Sequence, residues 1–313
     1  MSFESILGLF GTASELGLIT SLTVLALFLS YSMLNVCDLS TDGCFTFGAT
    51  VGAVVAIAGH PYLSIVAAMA AGMLSGLVTA ILQTKMGVNS LLAGIVVNTG
   101  LYSINIAVMG NSSILNMNKT ETVFTKVKGL FAGTFLESYN KIIVAIIAVA
   151  AVVVFLTLFL RTRLGLAIRA TGNNPIMVRS SSINPTFTTI VGLCVSNSFT
   201  ALSGCLLAQS QKSVNIDIGS GILTVALASL LIGNTFISSG KKIPLRAVGA
   251  VIGALIFRMV YMVALRLDMP AYMLKLISAV IVVIAISAPY LKKRFPTFKR
   301  RFDSLRKGGR GNA

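Results

Sequence analysis

The sequence predicts an all-α polytopic membrane protein with about nine transmembrane spans, laid out as two inverted repeats with broken helices. Three observations lead there. Of 313 residues, 55% are hydrophobic and 11% charged, at a mean hydropathy of +0.89. A soluble domain draws roughly 25% of its residues from Asp, Glu, Lys and Arg, so the missing polar surface faces lipid. Apolar runs of near-spanning length follow one another along the whole chain. Two of them are short, rich in Gly, Ser and Thr, introduced by Asp, and found at matching places in the two halves.

The first run, 17–36, is too long for a signal-peptide core and is not preceded by a basic stretch, so it reads as a retained helix after an outside segment, 1–16, that carries Glu4 and Glu15. Further runs fall at 44–59, 63–84, 90–109, 142–160, 185–209, 220–237, 245–266 and 270–290. They define one transmembrane domain over 17–290, followed by a basic tail, 291–313. If the 161–184 connection is cytoplasmic, 17 of the 25 Lys and Arg lie on that side, six lie on the other, and Arg258 and Lys275 fall inside spans. That bias puts the N-terminus outside and the C-terminus inside. Nine of the 17 crowd the last 22 residues. A nucleic-acid arm or anionic-lipid contact would show such a run, but the positive-inside rule accounts for it with no nucleic-acid partner.

The broken spans read DLSTDGCFTFGATVGAVVAIAG near 38–59 and DIGSGILTVALASLLIGNTFI near 217–237. Irregular backbone survives at membrane depth only where protein or a water-filled cavity satisfies it, so the pair marks a pathway. The next spans also correspond, with Gly72/Gly76 matching Gly249/Gly253 at an offset of 177 residues. Because 142–160 separates two sets of four spans, the second set enters the membrane in the opposite sense, a plan of transporters. Small-xxx-small pairs also serve simple helix packing.

No catalytic, cofactor-binding or metal-binding constellation is present. The one histidine, His60, lies in a GHPY turn, and Cys37, Cys44, Cys194 and Cys205 lack metal-ligand spacing. SSGKK at 238–242 departs from the phosphate-loop pattern at Thr235 and Lys242, so the chain does not hydrolyse ATP. The nine acids lie in tails or connections, at most at the lip of a broken span. That placement argues against ion coupling, which commonly uses an ionisable group at depth.

Lys275 can snorkel to the outer edge of its span. Arg258 is deeper, where a charge costs at least ~2.5–3.5 kcal/mol, so it faces the bundle interior. It contacts either a substrate carboxylate or carbonyls of a broken helix. Asn98, Thr99, Tyr102 and Asn105 recur at helical spacing, with Ser196, Asn197 and Ser198 in the opposite half. They line a route or bond helix to helix.

The connection RTRLGLAIRATGNNPIMVRSSSIN, 161–184, carries two short helical patterns broken at Gly172-Asn173-Asn174-Pro175. A loop this long with helices of its own is usually functional. Its RLG start at 163–165, its GNNP turn and its SSSIN approach to the next span resemble the cytoplasmic coupling segment of binding-protein-dependent ABC permeases of the branched-chain amino acid, ribose and nucleoside type. DLSTDGCFTFGATVGA resembles that family's Asn-x-Ser-x-Gly…Gly-Ala segment, with Asp38 where Asn is common. The likeness covers most of 17–290, and the closest subgroup is that of tryptophan or tyrosine transport permeases.

The resemblance implies a multi-pass protein of the bacterial plasma membrane, an importer subunit that works by alternating access. It implies a separate ABC ATPase that holds ATP and Mg, an outer substrate-binding protein, and a second permease copy. On that implication Arg169, Gly172, Asn173, Asn174 and Pro175 serve ATPase coupling. Asn98, Tyr102, Asn105, Asn197 and Arg258 line the route, and 110–141 offers the outer face. An amino acid is the favoured cargo, with a sugar or nucleoside as the alternative. An ion-coupled carrier and a structural membrane protein are the competing classes. The first would run on a gradient alone, and the second would leave the paired broken helices without a purpose.

Overall fold

The computed structural model describes residues 3–130, 139–236 and 242–266, together with 276, 279–284 and 287. Helix α1 (Phe3–Leu27) runs into a π-helical turn (Phe28–Met33). Then follow α2 (Thr41–Ile57), α3 (Pro61–Thr84), α4 (Ser90–Val108), strand β1 (Ile114–Asn116), α5 (Val123–Leu130) and α6 (Asn140–Phe159). The second half has α7 (Arg163–Asn173), α8 (Pro175–Ser180), α9 (Pro185–Gln211), β2 (Ser213–Asn215), α10 (Ile222–Phe236) and α11 (Ile243–Arg266).

Among the described residues, six helical stretches are long and apolar enough to cross a membrane, and α2 and α10 supply two shorter apolar helices. These eight fall where the sequence places its first eight spans, and the two short ones are the spans it reads as broken. The ninth run, 270–290, lies largely outside the described residues, as do Lys275 and the tail 291–313. The first span differs in extent. Its apolar stretch is Phe10–Met33 rather than 17–36, and residues 3–16 are already helical. Glu15 interrupts the hydropathy but not the helix, because Ser210 donates a hydrogen bond to its carboxylate and Lys141 Nζ lies 3.4 Å from it.

Two helices form the centre. The apolar windows of α1 and α9 are 83% and 78% buried, against 22% for α6, so the other helices wrap this pair. Polar side chains of α9 knit it to α1: Ser196 Oγ donates to the Ala26 carbonyl and Ser203 Oγ to the Ile19 carbonyl, each at 2.7 Å. Helix α2 crosses α9 at near backbone contact, since a Cβ added at Gly48 would overlap Ala201 and one at Gly204 would overlap Phe45.

At the level of whole helices the packing follows the duplication. Helix α2 packs on α3 as α10 packs on α11, and α3 packs on α9 as α11 packs on α1. The matched glycine pairs are used differently. Gly72 and Gly76 approach α9 at Asn197 and Leu193, whereas Gly249 and Gly253 approach α10 at Gly233 and Ser229. They act as packing devices, each for its own neighbour.

One feature has no counterpart in the sequence reading. Strands β1 and β2 pair antiparallel, with Leu115 opposite Val214, and tie the loop after α4 to the loop after α9. Met117 and Val214 are fully buried beneath them with Ala49 and Ala53 of α2. Three-residue strands in an apolar, helix-rich setting leave no periodicity to read.

Candidate functional site

Two regions gather the residues singled out above. The first is a corner between α7 and α8. Thr162 caps α7 by accepting the Gly165 N–H at 3.2 Å, and Ile168 and Thr171 turn inward, with the Thr171 hydroxyl 2.8 Å from that of Thr188 in α9. Gly172 meets the end of the π-helical turn, and a Cβ there would overlap the Met33 carbonyl and crowd Leu34. Asn173 closes α7 on the surface. Asn174 is extended (φ −157°, ψ 98°), and its side chain accepts the Ile176 and Met177 N–H groups at 3.1 Å each. Pro175 opens α8, where a missing N–H costs nothing.

The GNNP sequence therefore makes a stop, a cap and a new start within four residues. It projects Ile176 and Met177, 78% and 68% exposed, from a frame held by α9 and the end of α1. Arg169, one turn earlier on α7, is half-buried. Beside the corner lies a cleft of 370 Å³ lined by Gln83, Thr171, Ile176, Arg179 and Thr186 among others.

The second region lies where the two short helices meet. Asp42, in the first turn of α2, reaches the start of α10: its carboxylate accepts the Gly221 N–H at 3.0 Å and the Leu223 N–H at 2.8 Å. A carboxylate suits a helix N-terminus, whose unpaired N–H groups carry partial positive charge. Gly219 lets the 216–221 segment lie against the Asp42 carbonyl. Around this junction a cleft of 340 Å³ is lined by Asp42, Thr46, Asn98, Tyr102, Asn105 and Asp217, with no Lys, Arg or His among its lining residues.

Three of the five expected route residues, Asn98, Tyr102 and Asn105, thus share one cleft. Asn105 also bonds helix to helix: its Nδ2 donates to the Gly43 carbonyl at 3.4 Å and its Oδ1 accepts from Thr50 at 3.4 Å. Asn197 stands apart, buried, donating to Asp38 Oδ2 at 2.8 Å, while Asp38 Oδ1 accepts the Ser40 N–H at 2.8 Å. Arg258 lines a separate cleft of 480 Å³ with Ser220, Gly221, Thr224 and Tyr261. Its Nε donates to Thr20 Oγ1 at 3.5 Å and its guanidinium lies 5.7 Å from the Tyr261 ring centre.

The acids correct an expectation. The sequence places them at most at the lip of a broken span, yet Asp38 is 1% exposed and bound to the middle of α9, and Asp42 joins two helices inside the bundle. Missing acids at depth therefore do not count against ion coupling. The signal was present, because each broken span is introduced by Asp. What hydropathy does not show is that the non-helical entry folds inward instead of staying at the edge.

Comparison with known proteins bears on both regions. Residues 11–286 match the family model described as branched-chain amino acid transport system / permease component. The chain is 34% identical over 267 residues to the tyrosine transport system permease protein of Clostridioides difficile (strain R20291), covering 85% of this chain and 86% of that one. It is 27% identical to the ribose import permease protein RbsC of Escherichia coli (strain K12), over 80% and 75% of the two chains. The galactose/methyl galactoside import permease protein MglC of the same strain is 28% identical over 71% and 63%. No solved structure matches. With six helices long and apolar enough to span and a family match over almost its whole length, the chain is a multi-pass protein of the bacterial plasma membrane and belongs to the branched-chain amino acid transport system permease family of ABC-type transporters.

Proposed function

We propose that the protein is the membrane subunit of an ATP-driven importer. It receives cargo from a substrate-binding protein outside and is driven by a separate ATPase inside, with amino acids, aromatic ones in particular, as cargo. The observation that carries this reading is the α7–α8 corner, a rigidly capped pair of short helices that offers two bare apolar side chains, Ile176 and Met177. Such a knob suits a partner groove. It rests through Gly172 on the end of α1 and through Thr171 on α9, the two central helices, so a push on the corner is delivered to the core of the bundle.

On this reading the nine spans run from an outside N-terminus to an inside C-terminus. The two sets of four spans form inverted repeats whose broken helices, α2 and α10, meet at Asp42. Two ATPase subunits, which keep ATP and Mg to themselves, need two corners and hence a second copy of the chain. The outer face is the 110–141 segment. Its helix α5 is tied down where Gln209 Oε1 accepts the Val123 N–H at 2.9 Å and Gln209 Nε2 donates to Ser64 at 2.7 Å.

The tyrosine permease relative supports an aromatic amino acid as cargo. A sugar is the second reading, supported by the ribose and galactose permease relatives and by the amide and hydroxyl lining of the Asn98 cleft. Uptake of labelled tyrosine, tryptophan and ribose into proteoliposomes holding the permease, ATPase and binding protein separates them. ATP-dependent uptake of the amino acids, lost on Asn173→Ala plus Asn174→Ala, is the expected result. Uptake of ribose alone selects the sugar, and uptake without the ATPase overturns the ABC mechanism.

A further inference from the structure

The clefts of Asp217 and of Arg258 abut: Ser220 lines both, and Asp42, on the wall of the first, caps the Gly221 N–H on the wall of the second. Their charges are opposite and unmixed. Among the described residues, no basic one lines the first and no acidic one lines the second.

In the first cleft the two Asp42 oxygens are occupied by α10, whereas the exposed Asp217 carboxylate accepts no hydrogen bond from the described residues. In the second, Arg258 has no carboxylate partner among the described residues. Its bond from Nε to Thr20 is at the limit of hydrogen-bond length and leaves the terminal nitrogens without a described partner. Those nitrogens form the fork that grips a carboxylate. The Tyr261 ring softens the cost of the half-buried cation but does not neutralise it. An arginine inside a span is costly and usually serves a pathway.

We propose, resting on the amino-acid reading above, that cargo is recognised as a zwitterion where these clefts meet, its ammonium group drawn to Asp217 and its carboxylate gripped by Arg258. A molecule with both charges and no net charge suits the two walls together. A neutral sugar satisfies neither, and an amine or a carboxylic acid alone leaves one charge unmatched. The neighbouring Tyr102 and Tyr261 rings offer aromatic surface to a side chain, while the charges select the α-amino acid portion.

The test is binding of labelled tyrosine to the full-length permease with its ATPase in nanodiscs, without the binding protein, so that only the membrane subunit selects. Tyramine, which lacks the carboxylate, and 3-(4-hydroxyphenyl)propionate, which lacks the ammonium, serve as competitors. Tyrosine is expected to bind about tenfold or more tightly than either, the scale of one charge-assisted hydrogen bond. Arg258→Met removes its advantage over tyramine alone, Asp217→Asn removes its advantage over the propionate alone, and Arg258→Lys keeps most of the first. Monodispersity and melting temperature of each variant guard against misfolding.

Absence of saturable tyrosine binding at millimolar concentration overturns the proposal, as do equal affinities for the three ligands or ratios that the substitutions leave unchanged. ATP-dependent tyrosine uptake that persists beside any of these negatives keeps the importer reading and discards the zwitterion site alone. Uptake confined to ribose discards both.

Discussion

The Asp42 carboxylate accepts the Leu223 N–H at 2.8 Å, so the first turn of one broken helix closes the first turn of the other across 181 residues of chain. Helices α2 and α10 are short, and the first-turn N–H groups of α10 have no carbonyl partner within the helix. One side chain accepts the Leu223 N–H of α10 and the Gly221 N–H just before it, and fixes the angle at which the halves meet.

Asp42→Ala removes that closure. The expected loss is about 1–2 kcal/mol of stability, the scale of a helix N-cap, together with reduced uptake. Thermal unfolding in detergent checks the first and proteoliposome transport the second. Asp42→Asn, which keeps an acceptor oxygen, retains more of both.

Asp38 and Asn197 form a buried pair at 2.8 Å. Asn197→Ala leaves one carboxylate oxygen without its described partner and is expected to cost about 2–3 kcal/mol. Asp38→Asn is expected to be mild, because an amide can still accept from Ser40 and turn its NH₂ towards the Asn197 oxygen. Comparing the melting temperatures of the two variants checks the order.

Gly172→Val forces a side chain into the Met33 carbonyl and Leu34. Helix α7 must shift, at a cost of about 1–3 kcal/mol, and the corner loses its seat on the end of α1. The measurement is uptake per ATP hydrolysed, which is expected to fall more than hydrolysis itself.

Asn174→Ala deletes the acceptor for two α8 N–H groups. About 1 kcal/mol is at stake locally, and the expected readout is faster amide hydrogen exchange in 175–180 with little change in α9, whose own cap is Asn184.

The sequence was informative where one periodicity dominates. Lipid-facing helices such as α6 announce themselves by hydropathy, and the GNNP break, read as a turn between two short helices, is that turn because Asn174 and Pro175 are suited to cap and first-turn positions. The two short helices, α2 and α10, are legible from Gly, Ser, Thr and a leading Asp. Less was legible where distant segments meet. The β1–β2 pairing joins loops about a hundred residues apart, and the inward course of Asp38 depends on Asn197, a partner 159 residues away. Helical spacing puts Asn98, Tyr102 and Asn105 on one face of α4, and they line one cleft. Asn197 was grouped with them by polarity alone, and packing assigns it to Asp38. Glu15 hides the full extent of α1 in the sequence, because its partners Lys141 and Ser210 lie far along the chain.

On the proposed mechanism, the α7–α8 corner transmits the work of a separate ATPase. The most direct measurement is ATP-driven tyrosine uptake in proteoliposomes carrying wild-type permease or the Ile176→Asp plus Met177→Asp variant, with ATPase association followed by co-purification. Both residues are exposed, so the variant is expected to fold, to release the ATPase and to lose ATP-driven uptake. Uptake and association at wild-type levels in that variant would show that the corner does not carry the coupling.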